Sequence, residues 1–400
     1  MKLAWPLIAG TLLAAPGSAL AQNSQFTSMA EKALGEPFVG VTTDGTPRPD
    51  LFEIEPTGIP MDAVRTAAQG FLDSLPEDVR ETVIYPVESD EWRHWSNFHQ
   101  FPGRNGLSME DMSDAQREAT YNLLRASLSA KGYETSRDIM RLNHHLGELV
   151  DNFEEYGEFK YWVTVFGTPS SEEPWGWQFE GHHLVINYFL LGDQLVMTPT
   201  FMGSEPVRAQ SGKYAGTEVL QEEQDAGLAF LHLLPEDLRE RAIIGGKEGR
   251  SNALGELFKD NIVVPYEGLP AKDLDQETLK ALTGLIALFL ESLPEDQASR
   301  KMMEVLDHLD ETYFAWRGGT DDESVYYFRI QSPVVFIEFD HQGLIALEGD
   351  WNLPSRRHVH TVIRTPNGND YGRDLLRQHY EEAAADPDHG HSHPHRPQAK

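Results

Sequence analysis

WGWQFEGHHLVINYFLLGDQLV, residues 175–196, is a run of aromatic and aliphatic residues broken by Gly192-Asp193. Such residues suit a pleated, half-buried surface, and a Gly-Asp pair between apolar runs marks a tight turn. The stretch predicts a strand, a turn and a second strand. VYYFRIQSPVVFIEFDHQGLIAL, residues 325–347, parallels it, with its turn expected at His341-Gln342-Gly343. Just upstream, YWVTVFG (161–167) parallels YFAWRGG (313–319).

Further upstream the parallels continue as helices. FLDSLPED (71–78), FLHLLPED (230–237) and FLESLPED (289–296) share one pattern. Each is an apolar helix end, a proline that stops it, and a Glu-Asp pair suited to the positive end of the next helix. Gly106-Leu107 and Gly268-Leu269 each lead into an amphipathic helix, with Asp114 and Asp275 as expected N-caps. Together these parallels predict an internal duplication, residues 61–210 and 211–380, each half running helices first and sheet second. That order indicates an α+β fold with helices packed on antiparallel sheet. Residues 22–60, rich in Gly, Pro and Thr, read as a loose arm. The segment 381–400, with His389, His391, His393 and His395 among Pro, Gly and Ser, reads as a disordered tail able to chelate metal.

The chain opens MKLAWPLIAGTLLAAPGSALA, a lysine, an apolar stretch and the small-x-small site Ala19-Leu20-Ala21. This predicts a cleaved signal peptide over 1–21 and a periplasmic or secreted protein. The absence of cysteine removes thiolate ligands and nucleophiles, leaving His, Asp, Glu and carbonyls to bind a metal. A formal net charge of −31 repels phosphate backbones and anionic lipid, so neither nucleic acid nor membrane is an expected partner. The signatures GxSxG, HExxH, GxGxxG and GxxxxGK[ST] are all missing from the sequence.

Five places can carry chemistry or hold a ligand. Read as one strand, FEGHHLVINY (179–188) points His182 and His183 to opposite faces, so only one of them joins a given pocket. The bland alternative is a pair of core rings satisfied by backbone. His358 and His360 stand two apart in RRHVHTVIR (356–364), the strand spacing that offers two imidazoles to one side. Glu338 lies inside the apolar run PVVFIEFD, in register with Asn187 and on the face of His183; a buried carboxylate needs a metal, a histidine or an arginine as partner. Arg329 falls on the other face by strand parity, which leaves Arg356, Arg357 or Arg364 for a structural pair. Asp370, in NGNDYGRDLLRQHY (367–380), is read as a helix cap or as a carboxylate orienting an imidazole. The aromatic-rich EWRHWSNFHQFPGR (91–104), with Trp175 and Trp177, lines either a pocket for sugar or aromatic ligands or part of the core.

The runs WSNFHQFPGRNGLSMEDMSDAQ, FGTPSSEEPWGWQFEGHHLVINY, YFRIQSPVVFIEFD and HVHTVIRTPNGNDYGRDLLRQHY resemble the family called "domain of unknown function 3500", over about residues 60–380. The resemblance implies that these segments belong together and supplies no reaction. The residues themselves point to an exported protein with a divalent metal, zinc, copper or iron. It would sit between the halves on His182 or His183, His358 and His360, with Glu338 and Asp370 in catalytic roles in a hydrolase or oxidase. The alternative is a non-catalytic binder of a metal or small ligand.

Overall fold

A computed structural model of the chain describes residues 28–99, 103–245 and 249–385. The expected signal peptide and the four tail histidines lie outside those residues. Residues 28–37 belong to a unit of their own, carrying helix α1 (residues 28–34). Everything below concerns the unit that begins at Phe38.

Helices α2 (Asp62–Asp73), α3 (Glu77–Val83), α4 (Asp114–Ser127) and α5 (Ala130–Val150) precede strands β3 (Tyr161–Phe166), β4 (Trp175–Gly181), β5 (Leu184–Leu191), β6 (Gln194–Val196) and β7 (Thr200–Ser204). Helices α6 (Gln221–Leu233), α7 (Glu236–Ala242), α8 (Gln276–Leu290) and α9 (Glu295–Asp307) then precede β9 (Tyr313–Gly318), β10 (Tyr326–Gln331), β11 (Phe336–Gly343) and β12 (Pro354–Arg364). Short strands β1 (Ile84–Tyr85), β2 (Leu107–Ser108) and β8 (Leu269–Pro270) lie among the helices, and α10 (Arg373–Ala385) follows the sheet. Among the described residues, no helix is long and apolar enough to cross a membrane.

The local signals act as expected at most helix starts. Pro76, Pro235 and Pro294 are the N-cap residues of α3, α7 and α9, each followed by a Glu-Asp pair in the first turn. Asp275 caps α8, its Oδ1 accepting from the Thr278 N–H at 2.9 Å. At α4 the cap is Ser113 rather than Asp114. Ser113 and Gln116 form a reciprocal capping box that satisfies two end groups at once. Helix α10 runs through 381–385, residues expected in the tail, because three alanines and an Arg377–Glu381 pair at 2.6 Å favour another turn.

The strands form one continuous sheet in the order β1-β3-β4-β5-β7-β12-β11-β10-β9-β8, with β2 also on β3 and β6 also on β5. It is mixed, not purely antiparallel as expected. The exception is β1, which enters straight from α3 and runs parallel to β3 (Ile84 beside Val165). An edge strand delivered by a helix, not a hairpin, is free to take that direction. At the centre β7 pairs antiparallel with β12, setting Gly203 against His360. Trp92, Trp95, Trp175, Trp177 and Trp316 are fully buried, and Trp92 stacks on Phe166 at 3.8 Å. Trp92 and Trp95 of the aromatic-rich segment, with Trp175 and Trp177, are therefore core; Phe101 lies outside the described residues.

The turn expected at Gly192-Asp193 forms, joining β5 to β6, but the first stretch carries a further turn and the second turns at another place. FEGHHLVINY is not one strand: β4 ends at Gly181 and β5 begins at Leu184, so His182-His183 is a two-residue hairpin connection. His183 takes φ +63°, a region that histidine tolerates better than most side chains. The segment lacks the Asn-Gly signal that would have marked the turn. In the second stretch the turn is Ser332–Val335, where Ser332 Oγ accepts from the N–H groups of Val334 and Val335. His341–Gly343 stays within β11, carrying a bulge.

Candidate metal centre

Strand alternation puts His358 and His360 on one face of β12, as their spacing predicts. The His182-His183 turn is pinned across the sheet beside them. The His183 N–H donates to the Asn97 carbonyl at 3.1 Å, and the Gly203 N–H donates to the His183 carbonyl at 2.8 Å. Gly203 is the residue opposite His360. The outcome is a cluster of three imidazoles, His183, His358 and His360, all buried, whose ligand atoms lie within 4.8 Å of one another. His183 Nε2 is 3.0 Å from His358 Nε2, which is 2.9 Å from His360 Nε2. This group could hold a metal ion.

The outer ring nitrogens are held by acceptors. His358 Nδ1 donates to the Gly343 carbonyl at 2.9 Å, with Glu205 Oε2 at 3.5 Å. His360 Nδ1 meets Glu256 Oε1 at 2.6 Å. A carbonyl only accepts, so His358 carries its hydrogen on Nδ1 and turns a lone pair inward from Nε2. With Glu256 ionised the same holds for His360. Imidazoles backed by a carbonyl or carboxylate are the usual arrangement behind metal-ligating histidines. Burial, followed by the neighbouring imidazoles, pushes His183 and His360 well below the ordinary histidine range, and burial lowers His358 as well. The rings are thus neutral, the form that binds metals.

Glu205 and Glu256 carry no motif linking them to the histidines, and the sequence reading missed both. Glu205 is fixed by the N–H groups of Ile345, Ala346 and Leu347, at 2.9 to 3.0 Å from Oε1. Burial pushes the Glu256 carboxyl up to about 7.

The other candidates sit elsewhere. His182 turns away from the cluster. Its Nδ1 lies 2.8 Å from Asn143 Oδ1, and its ring stacks on that of His183 at 3.9 Å. One histidine of the pair thus enters the cluster, selected by the turn and not by strand parity. Glu338 shares the sheet face of His360, through its neighbour Val362, but its oxygens accept from the N–H groups of Leu254 and Gly255 and from Tyr327 Oη at 2.7 Å. Arg329 stands directly across from Glu338, because the real turn at 332–335 sets that register; the two therefore share a face, contrary to the parity reading. Asp370 is wholly buried, accepting from Thr365 N–H at 2.7 Å and Arg364 Nη1 at 3.0 Å. Its partner is therefore a guanidinium and not an imidazole. Arg364 also bonds Asp260 at 2.9 Å, and Asp260 in turn takes Arg93 and Tyr371. These contacts form an ionic brace beside the cluster.

The family model described as "Protein of unknown function (DUF3500)" matches residues 57–373. The chain belongs to the DUF3500 family. The match spans every residue of the imidazole cluster and both carboxylates behind it. No curated protein and no solved structure matches the chain.

Proposed function

We propose that this DUF3500 protein is an exported metalloprotein. His183, His358 and His360 hold one divalent transition-metal ion, zinc, copper or iron, and the ion serves hydrolysis or oxidation. One observation carries the reading: three Nε2 atoms converge while the outer nitrogens of His358 and His360 are tied to acceptors. With Glu256 ionised, His358 and His360 both turn lone pairs inward, and two lone pairs at 2.9 Å repel unless something positive lies between them. A proton is disfavoured there, since burial and the neighbouring rings oppose an imidazolium. Adjacent nitrogens bound at about 2.05 Å and about 90° stand roughly 2.9 Å apart, and at a tetrahedral angle about 3.3 Å. The separations of 3.0 and 2.9 Å suit the former. Three protein ligands leave positions for water or substrate, the pattern of catalytic rather than structural sites.

Duplication is part of the same proposal. Leu107 pairs with Val163 as Leu269 does with Phe314, and Ile84 runs parallel beside Val165 as Ile243 does beside Trp316. The centre then straddles the seam, one ligand from the first half and two from the second. The proposed export rests on the leader-like residues 1–21. A second reading, metal or ligand binding without catalysis, is favoured by the depth of the cluster, since His358 has no exposed surface.

Metal analysis tests the proposal on the full chain with His389, His391, His393 and His395 replaced by Ala. About one ion per chain is expected, lost in a His358→Ala, His360→Ala double variant. Loss of all metal on replacing the tail histidines alone refutes the folded centre. Hydrolase and oxidase screens with and without chelator separate enzyme from binder.

A further inference from the structure

Beside the His182-His183 turn is an open cleft of about 430 Å³ with His182 in its wall. Two cationic side chains face it, and each is matched by a carboxylate: Lys160 by Glu110 at 2.9 Å, Arg104 by Glu180 at 2.6 Å. Glu110, Glu154 and Glu155 also line the cleft, on a chain of net charge −31. His99 Nε2 lies 3.3 Å from Glu155 Oε2. Burial holds His99 below the usual histidine range, so its ring is neutral. The His99 ring meets that of His182 edge-on, 5.2 Å between centroids.

His182 is the second, independent sign. It is 8 % exposed, lines the cleft, and has its Nδ1 engaged by Asn143 Oδ1. Among the described residues no hydrogen bond engages its Nε2. A buried imidazole nitrogen facing a negative cleft is a place for a borderline cation to pause. Behind it the ring stacks on the ligand His183. The cleft wall and the centre also share a carboxylate: Glu205, 3.5 Å from His358 Nδ1, acts electrostatically on His99 and Tyr156.

We infer that this cleft is the port through which a divalent transition-metal ion reaches the three-histidine centre, passing from Glu155 to His99 and His182 and then by ligand exchange to His183. The inference rests on the proposed metal centre. The acidic mouth concentrates cations from solution, and the two imidazoles replace lost water ligands one at a time. No bond other than metal–ligand bonds is made or broken, and no electron moves.

The test is stopped-flow uptake of Co²⁺ by the metal-free full chain with its four tail histidines replaced by Ala, read by the visible absorption of the bound ion. Glu155→Gln removes a surface charge. His182→Phe keeps a ring on His183 while removing Nε2. Each is expected to slow uptake about tenfold without changing the final stoichiometry, and Glu155→Gln should also weaken the fall of the rate with added salt. Loading of both variants at the wild-type rate overturns the port and leaves the centre standing. A wild-type chain that takes up no Co²⁺ overturns the centre, and the port with it.

Discussion

Glu256 offers the sharpest perturbation of the proposed centre. Its Oε1 lies 2.6 Å from His360 Nδ1, and both groups are buried. Ionised, it fixes the tautomer that turns the His360 lone pair inward and makes the ring a stronger donor to a cation. Removing such a partner typically costs 10–100-fold in metal affinity, or about 1.4–2.7 kcal/mol. Glu256→Gln keeps an oxygen acceptor and loses only the charge, so about tenfold is expected. Glu256→Ala leaves the ring free to rotate and the nitrogen without a buried partner, so about a hundredfold is expected. The assay is competition against a chromophoric chelator at fixed pH, with the tail histidines replaced and the fold of each metal-free variant checked by circular dichroism. Wild-type affinity in Glu256→Ala, within twofold, refutes the argument that the outer hydrogen bonds set the lone pairs.

Three further outcomes are expected. Gly203→Ala places a Cβ 2.7 Å from the Val359 carbonyl and 2.9 Å from His360 Cδ2, so it should displace the ligand ring and weaken metal binding at least tenfold while far-UV circular dichroism is unchanged. Arg364→Met leaves Asp370 buried without its guanidinium and should cost about 3–5 kcal/mol in urea unfolding, with Arg364→Lys between it and wild type. His341 accepts from Tyr326 N–H at Nδ1 and bonds Gln224 Oε1 through Nε2, and burial pushes it down to about 3. The unfolded chain therefore takes up that proton first as the pH falls. The stability from keeping the ring neutral is full above about 6.5 and is lost progressively towards 3, at up to about 1.4 kcal/mol per pH unit. Urea midpoints at pH 7 and 4.5 should separate more for wild type than for His341→Gln, and equal separations sink the assignment.

What could be read in the sequence was local. Proline and the acidic pair after it marked the starts of α3, α7 and α9, and the spacing of His358 and His360 gave two imidazoles on one face because alternation along a strand is a backbone property. What could not be read depended on partners far along the chain. The His182-His183 turn carries no glycine at its left-handed position, and it is held by Asn97 and Gly203. Glu256 reaches His360 from a segment with neither helical nor strand periodicity, so only the folded chain shows the pair. Glu338 and Asp370 were visible as carboxylates in apolar surroundings, and each does have the partner such a group requires. Those partners are backbone N–H groups, a tyrosine and an arginine, none of which periodicity can point to.

The position of β12 bears on how the chain is made. Among the described residues it is the last strand in the sequence, yet it lies in the middle of the sheet between β7 and β11. Until residues 354–364 leave the ribosome, those two strands are bare edges with unpaired main-chain groups, the kind of surface that recruits strands from other molecules. Nascent or prematurely terminated chains should therefore aggregate through that gap. Because the same strand brings His358 and His360, cation capture would report that the gap has closed.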